Sequence, residues 1–160
     1  MTADQRFQTC AHEMGLDFSG DIKIGGNYSP VVRDGKLLWV SGQIPRVGDK
    51  VLFVGVVGET LDVTQGKQAA AIGAMRALAL LQRTLGSLES IAAVLRITVY
   101  VRSGAHFTQQ SEVADGASDV ICRVLGSRGM HTRTSVGVMQ LPKGAAVELD
   151  MVATAKEGQA

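Results

Sequence analysis

Cysteine is scarce in this 160-residue chain, with Cys10 and Cys122 far apart and outside any CxxC spacing. A disulfide framework and a zinc knuckle are therefore not expected. Aromatic residues make up only 4% of the chain, leaving little of the ring surface on which single-stranded nucleic acid stacks. Neither sign of charge dominates: 16 Lys+Arg stand against 15 Asp+Glu, a formal net charge of +1. That balance removes the long-range attraction that drives bulk binding to nucleic acid or anionic membrane. No apolar run approaches the ~18 residues of a membrane span, and the first thirty residues lack a basic-then-apolar leader pattern. A soluble, cytoplasmic chain with one core is the expectation.

What the chain does have is glycine, 19 residues, and 46% hydrophobic content. Its first twenty residues are polar and mixed, with a short helix expected over 5–14, and read as an N-terminal extension (1–20) to a domain spanning 21–155, with a tail at 156–160. Val31-Val32-Arg33 and Leu37-Leu38-Trp39-Val40 flank Asp34-Gly35, a strong hairpin signal. Ser41-Gly42-Gln43-Ile44-Pro45 breaks the second run, and Gly48-Asp49 turns the chain into a third apolar run over 51–57.

Helical spacing then takes over. Ala71, Ala74, Met75, Leu78, Leu81 and Leu85 recur on one stripe, behind an Asp62/Gln65 capping box and ahead of Gly86. Residues 94–102 alternate as a strand, with Leu95, Ile97, Val99 and Val101 on one face. A second helix is expected over 107–125, on the stripe Val113, Ala117, Val120, Ile121 and Val124. Two further β-type stretches, 132–140 and 145–154, are separated by Leu141-Pro142-Lys143-Gly144. The order β-β-β-α-β-α-β-β predicts an α+β fold, a mixed sheet with helices packed on one face.

If Lys143-Gly144 centres a two-residue turn, the last two stretches form a hairpin whose Val/Leu faces coincide. That register puts Arg133, Ser135, Gly137 and Met139 on one surface with Glu148 and Asp150. Taken alone, the polar surface is an exposed Arg–Glu pair worth well under ~1 kcal/mol, or a subunit contact containing a pocket.

Four separated motifs carry a resemblance: Tyr28 with 38–45 (LWVSGQIP), 98–101 (TVYV), 132–136 (TRTSV) and 141–150 (LPKGAAVELD). Together, over residues 24–153, they resemble the Rid family, the reactive-intermediate deaminases also called YjgF-type or endoribonuclease L-PSP, and within it the longer subgroup with a chorismate-mutase-like fold. The resemblance implies a homotrimer whose sheets line a central barrel, with clefts between subunits. It also implies hydrolysis of 2-imino acids, or their enamine tautomers, to 2-keto acids and ammonia, without metal or organic cofactor. The partner so implied is a small carboxylate-bearing metabolite, not a membrane or a nucleic acid.

By the same resemblance Arg133 binds the substrate carboxylate, which suits the bidentate guanidinium fork. Glu148 positions water and moves protons to the leaving nitrogen. Tyr28 closes the cleft, Ser41 turns a hydroxyl toward it, and Gly42 lets backbone approach the ligand. Ser135 stands where many members have cysteine, Ser111 where asparagine is common, and His131-Thr132 replaces Pro-Ala. These departures keep a second reading open, a non-catalytic trimeric binder of small carboxylates. A third, an endoribonuclease, rests on the family's older name. His12, His106 and His131 have no metal-ligand spacing. Arg76, Arg83, Arg96 and Arg102 read as solvated faces or interface pairs, and Cys122 as core.

Overall fold

The computed structural model describes residues 1–158, so the last two residues of the 156–160 tail lie outside the description. Three helices are α1 (Ala3–Glu13), α2 (Val63–Leu85) and α3 (Gln110–Leu125). The strands are β1 (Val31–Asp34), β2 (Leu37–Gln43), β3 (Arg46–Val47), β4 (Lys50–Val51), β5 (Ile91–Arg102), β6 (Thr132–Val138) and β7 (Val147–Ala155). Five strands make one sheet in the order β1-β2-β7-β5-β6, and β3 with β4 form a separate small hairpin. The fold is α+β with a mixed sheet, because β5 and β6 run parallel while its other pairs are antiparallel.

Helix α2 begins and ends where its chemistry dictates. Asp62 and Gln65 exchange capping-box hydrogen bonds, and Gly86 closes the helix at φ 79°. Ala69, Ala70, Ala74, Met75, Ala77, Leu78 and Leu81 are fully buried on it. Small residues let the elements approach closely: a Cβ on Gly116 of α3 would sit 2.7 Å from the Lys67 carbonyl carbon. This contact of backbone on backbone is how a core with few rings stays dense.

The N-terminal helix is no loose appendage. Thr2 and Gln5 cap it, Phe7 is 2% exposed, and Ala3, Cys10 and Ala11 are buried with it in the common core. The Phe7 ring lies 6.1 Å from that of Phe18, and Arg83 of α2 donates to the Phe18 and Gly20 carbonyls.

Three local expectations are corrected. The run 51–57 is not a full strand: Val51 pairs back onto Arg46, Phe53 turns to φ 54° and Gly55 to φ 153°. Beyond that bend the chain makes isolated bridges from Val54 to Ala145 and from Val57 to Ser103. Leu95 does not share the inner face of β5, because a bulge between Val94 and Arg96 turns it outward while Val94 is buried.

The third correction matters most for function. Strands β6 and β7 do not form a hairpin; β5 lies between them. Helix α3 carries the chain over from β5 to β6 as a parallel crossover, which seats β6 at the sheet edge. The 141–144 segment is then a wider turn, with Lys143 at φ 56° and Gly144 at φ 69°, leading β7 back into the middle of the sheet.

Candidate active site

The register fixes where the two predicted ionic residues go. Arg133 lies in one row with Ile97 and Met151 across the sheet, and Ile97 and Met151 are buried beneath the helices. Glu148 is three residues from Met151 on β7, so it projects from the opposite face, in the row of Tyr100 and Val136. The strands carrying them are also two spacings apart, ~10 Å. The shared Arg133–Glu148 surface expected from a hairpin therefore does not exist within one chain.

Arg133 is held by α3. Its Nη1 donates to Asp115 Oδ1 at 2.9 Å and Ser118 Oγ at 3.0 Å, and its Nη2 to the Ser111 carbonyl and hydroxyl at 3.2 and 2.9 Å. Ser118 Oγ also lies 2.9 Å from His131 Nε2, whose Nδ1 meets the Gly129 carbonyl at 2.5 Å. Ser135, two residues along β6, shares the face of Arg133.

Glu148 stands at a bulge. Between its pairings at Val40–Met151 and Gln43–Leu149, β2 uses three residue steps against two on β7. The extra residue falls at Ser41-Gly42, and the missing side chain of Gly42 is filled by Glu148. A Cβ at Gly42 would lie 2.9 Å from the Glu148 Cδ and 3.2 Å from its Cγ, with Oε1 closer still. Gly42 thus lets a carboxylate, rather than the backbone of a ligand, approach. Burial raises the Glu148 pKa above the ordinary carboxylate value, and Asp150 nearby raises it further. Among the described residues, none donates a hydrogen bond to its carboxylate.

A cavity of about 250 Å³ opens beside it, lined among others by Tyr28, Gly42, Gln43, Arg76, Lys143 and Glu148. The half-exposed Tyr28 ring lies over the Gly25-Gly26 loop, where a Cβ on Gly26 would stand 3.2 Å from Tyr28 Cε1. Ser41 is not part of the lining. Its hydroxyl accepts from Gln43 Nε2 at 3.2 Å, and Gln43 Oε1 accepts from Arg76 Nε at 3.2 Å.

Structure therefore gathers Tyr28, Gly42 and Glu148, and sets Arg133 and Ser135 apart. It adds Gln43, Arg76 and Lys143 to the cavity, and Asp115 and Ser118 to Arg133. Arg76 is neither solvated nor paired on a surface; it is 4% exposed. One signal was available: Ile72, Arg76 and Leu80 recur at i, i+4 spacing, which sets this arginine within an apolar stripe.

The sequence model of the family described as Endoribonuclease L-PSP matches residues 20–155. The chain belongs to that family. The resemblance to Rid proteins thus rests on nearly the whole domain, while the L-PSP name by itself fixes no substrate. Protein TCP17 of Trypanosoma cruzi is 38% identical over 151 residues, covering 94% of each chain. Among solved structures, Atu1372 of Agrobacterium tumefaciens, a protein of unknown function, is 33% identical with a TM-score of 0.85, over 96% of this chain and 92% of its own. RidA from the Antarctic bacterium Psychrobacter sp. PAMC 21119 shares the fold at 20% identity and a TM-score of 0.58, over 87% and 97% of the two chains. In this L-PSP protein no helix among the described residues is long and apolar enough to cross a membrane.

Proposed function

We propose that this protein hydrolyses 2-imino acids and their enamine tautomers to 2-keto acids and ammonia in the cytoplasm, at clefts between copies of the chain in a homotrimer. The observation that carries the reading is Glu148, a carboxylate without a protein donor, desolvated against Gly42 at the wall of a cavity. A carboxylate with a raised pKa is a stronger base than an exposed one and is suited to proton transfer near neutral pH.

Glu148 takes a proton from water as the water oxygen adds to the C=N carbon of the protonated imine, giving a neutral tetrahedral carbinolamine. The same carboxyl then delivers that proton to nitrogen, the C–N bond breaks as ammonia leaves, and the carbinolamine hydroxyl proton passes to the Glu148 carboxylate as the keto group forms. Tyr28 covers the cleft and limits competing water. Arg133 cannot serve Glu148 of its own chain, so a neighbouring copy supplies it. Its guanidinium receives the substrate carboxylate by exchanging contacts with Asp115, whose side chain is 47% exposed.

The open sheet face supports such an assembly. Trp39 is 52% exposed there, and Val32 and Val136 are exposed with it; unpartnered apolar surface of this kind is typical of an interface. One observation favours a second reading, a trimeric binder of small carboxylates without turnover: Arg133 is already occupied by Asp115.

The test couples the protein to a pyridoxal-phosphate dehydratase and follows imine by semicarbazide trapping. Wild type should accelerate imine decay and Glu148→Gln should lose that acceleration, by about 10²-fold or more for a general acid–base group. Acceleration that survives Glu148→Gln refutes the assignment. Stabilisation by keto acids without any turnover establishes the binder instead.

A further inference from the structure

Arg76 is a buried cation that meets no carboxylate among the described residues. Its Nε donates to Gln43 Oε1 at 3.2 Å, its Nη1 to the Arg46 carbonyl at 2.6 Å and its Nη2 to the Lys23 carbonyl at 3.2 Å. A guanidinium has five N–H donors, so these three bonds leave two N–H groups for another acceptor. Burial, reinforced by the neighbouring Arg46, lowers the Arg76 pKa to about 10. An uncompensated buried charge is costly to keep, and a bound anion would offset that cost.

The surroundings of Arg76 point the same way. Lys23, Arg46 and Lys143 also line the cavity, and its one acidic lining residue is Glu148, which the proposed chemistry reserves for proton transfer. Lys23 and Arg46 both meet Asp49, which is not part of the lining, whereas Lys143 is held by no acidic side chain among the described residues. At about 250 Å³ the space falls below the ~300–1,000 Å³ of larger ligand sites, so a small metabolite is the fitting guest.

We propose that Arg76, with Lys143 at the rim, receives a second anionic group of the substrate, so that this site selects dicarboxylic 2-imino and 2-oxo acids over monocarboxylic ones. This rests on the reading of the Glu148 cavity as the reaction site and names the substrate class within it. Arg133 of a neighbouring copy would hold the carboxylate next to the reacting carbon, and Arg76 the distal one. A purely structural Arg76, pinning the Lys23 and Arg46 carbonyls, would confer no such preference.

Calorimetry with two unreactive products of equal chain length, 2-oxoglutarate and 2-oxopentanoate, tests the proposal without relying on turnover. Wild type should bind 2-oxoglutarate about tenfold tighter or more, the scale of one added charge-assisted contact. In Arg76→Gln the preference should fall to about twofold or less while affinity for 2-oxopentanoate stays within about twofold. Lys143→Gln, at an exposed turn, should narrow the preference without disturbing the fold, and keeps the test open if Arg76→Gln does not fold. Equal affinities in wild type, or a preference that persists in both variants, overturn the proposal. Selective binding without imine hydrolysis would sustain this inference and refute the deaminase. Hydrolysis lost in Glu148→Gln, with no dicarboxylate preference, would do the reverse.

Discussion

Gly42→Ala is the most informative single change, because the structure says what the added methyl meets. It would stand 2.9 Å from the Glu148 Cδ and 3.2 Å from its Cγ, and nearer still to Oε1. Ordinary carbon–carbon and carbon–oxygen contacts need roughly 3.5 Å, so the carboxylate must swing away by about 1 Å. A flexible glutamate can do this for about 0.5–1.5 kcal/mol of rotamer strain. Gly42 is not in the left-handed region, so alanine also reduces the freedom of the unfolded chain, a gain of about 0.4–1 kcal/mol. The two terms nearly cancel, and the urea midpoint should move little. Catalysis has no such compensation: a ~1 Å misplacement of a reacting group costs about 10²-fold in kcat. Dehydratase-coupled imine decay should therefore fall by about that factor in a folded variant. Shortening the neighbour in Gly42→Ala/Glu148→Asp should lift the clash, so the two changes should couple instead of adding. Wild-type imine decay in Gly42→Ala would refute the claim that the position of Glu148 matters.

Other consequences are equally direct. Because the folded pKa of Glu148 is raised, by burial first and Asp150 second, the folded state holds its proton more tightly than the unfolded chain. Its contribution is then fully present below the unfolded carboxylate pKa and is lost as pH rises through the raised value. Glu148→Gln should accordingly be more stable than wild type at neutral pH in urea titrations, with the gap closing in acid; a less stable variant at pH 7 would contradict the desolvation argument. Phe7→Ala should cost about 3–5 kcal/mol by urea denaturation, as for a core ring, whereas a loss below about 1 kcal/mol would mean that α1 is an appendage after all. Gly116→Ala should lose about 1–3 kcal/mol or more from overpacking against the Lys67 backbone, seen as a lowered melting temperature in a calorimeter.

Local signals in the sequence were reliable where the physics is local. The Asp62/Gln65 box and the Gly86 stop lie where their side chains require, whereas the hairpin expected at Asp34-Gly35 turns one residue later, on Gly35-Lys36: Asp34 pairs with Leu37, and Gly35 takes the positive φ of 58°. Pairing between distant strands is another matter. The Leu141–Gly144 segment carries turn residues that suit a hairpin, yet helix α3 commits β6 to lie beside β5, and a turn sequence cannot register that competing contact. With β5 between β6 and β7, Arg133 and Glu148 lie apart, where a hairpin register would bring them together. The bulge at Ser41-Gly42 was legible as a break in an apolar run, but not as the seat of Glu148. Arg76 was visible only as one charge in an apolar stripe, and periodicity does not say whether such a charge is buried.

The claim that a single reaction site draws on two copies of the chain has a direct measurement: imine hydrolysis by mixed subunits. Arg133→Ala and Glu148→Gln, each inactive alone, are unfolded together in equal amounts, refolded and assayed. If each cleft takes Arg133 from one copy and Glu148 from the next, about a quarter of the clefts in randomly mixed trimers are intact, and about a quarter of wild-type activity should return. If the mixture stays as inactive as its parents, the shared cleft is wrong.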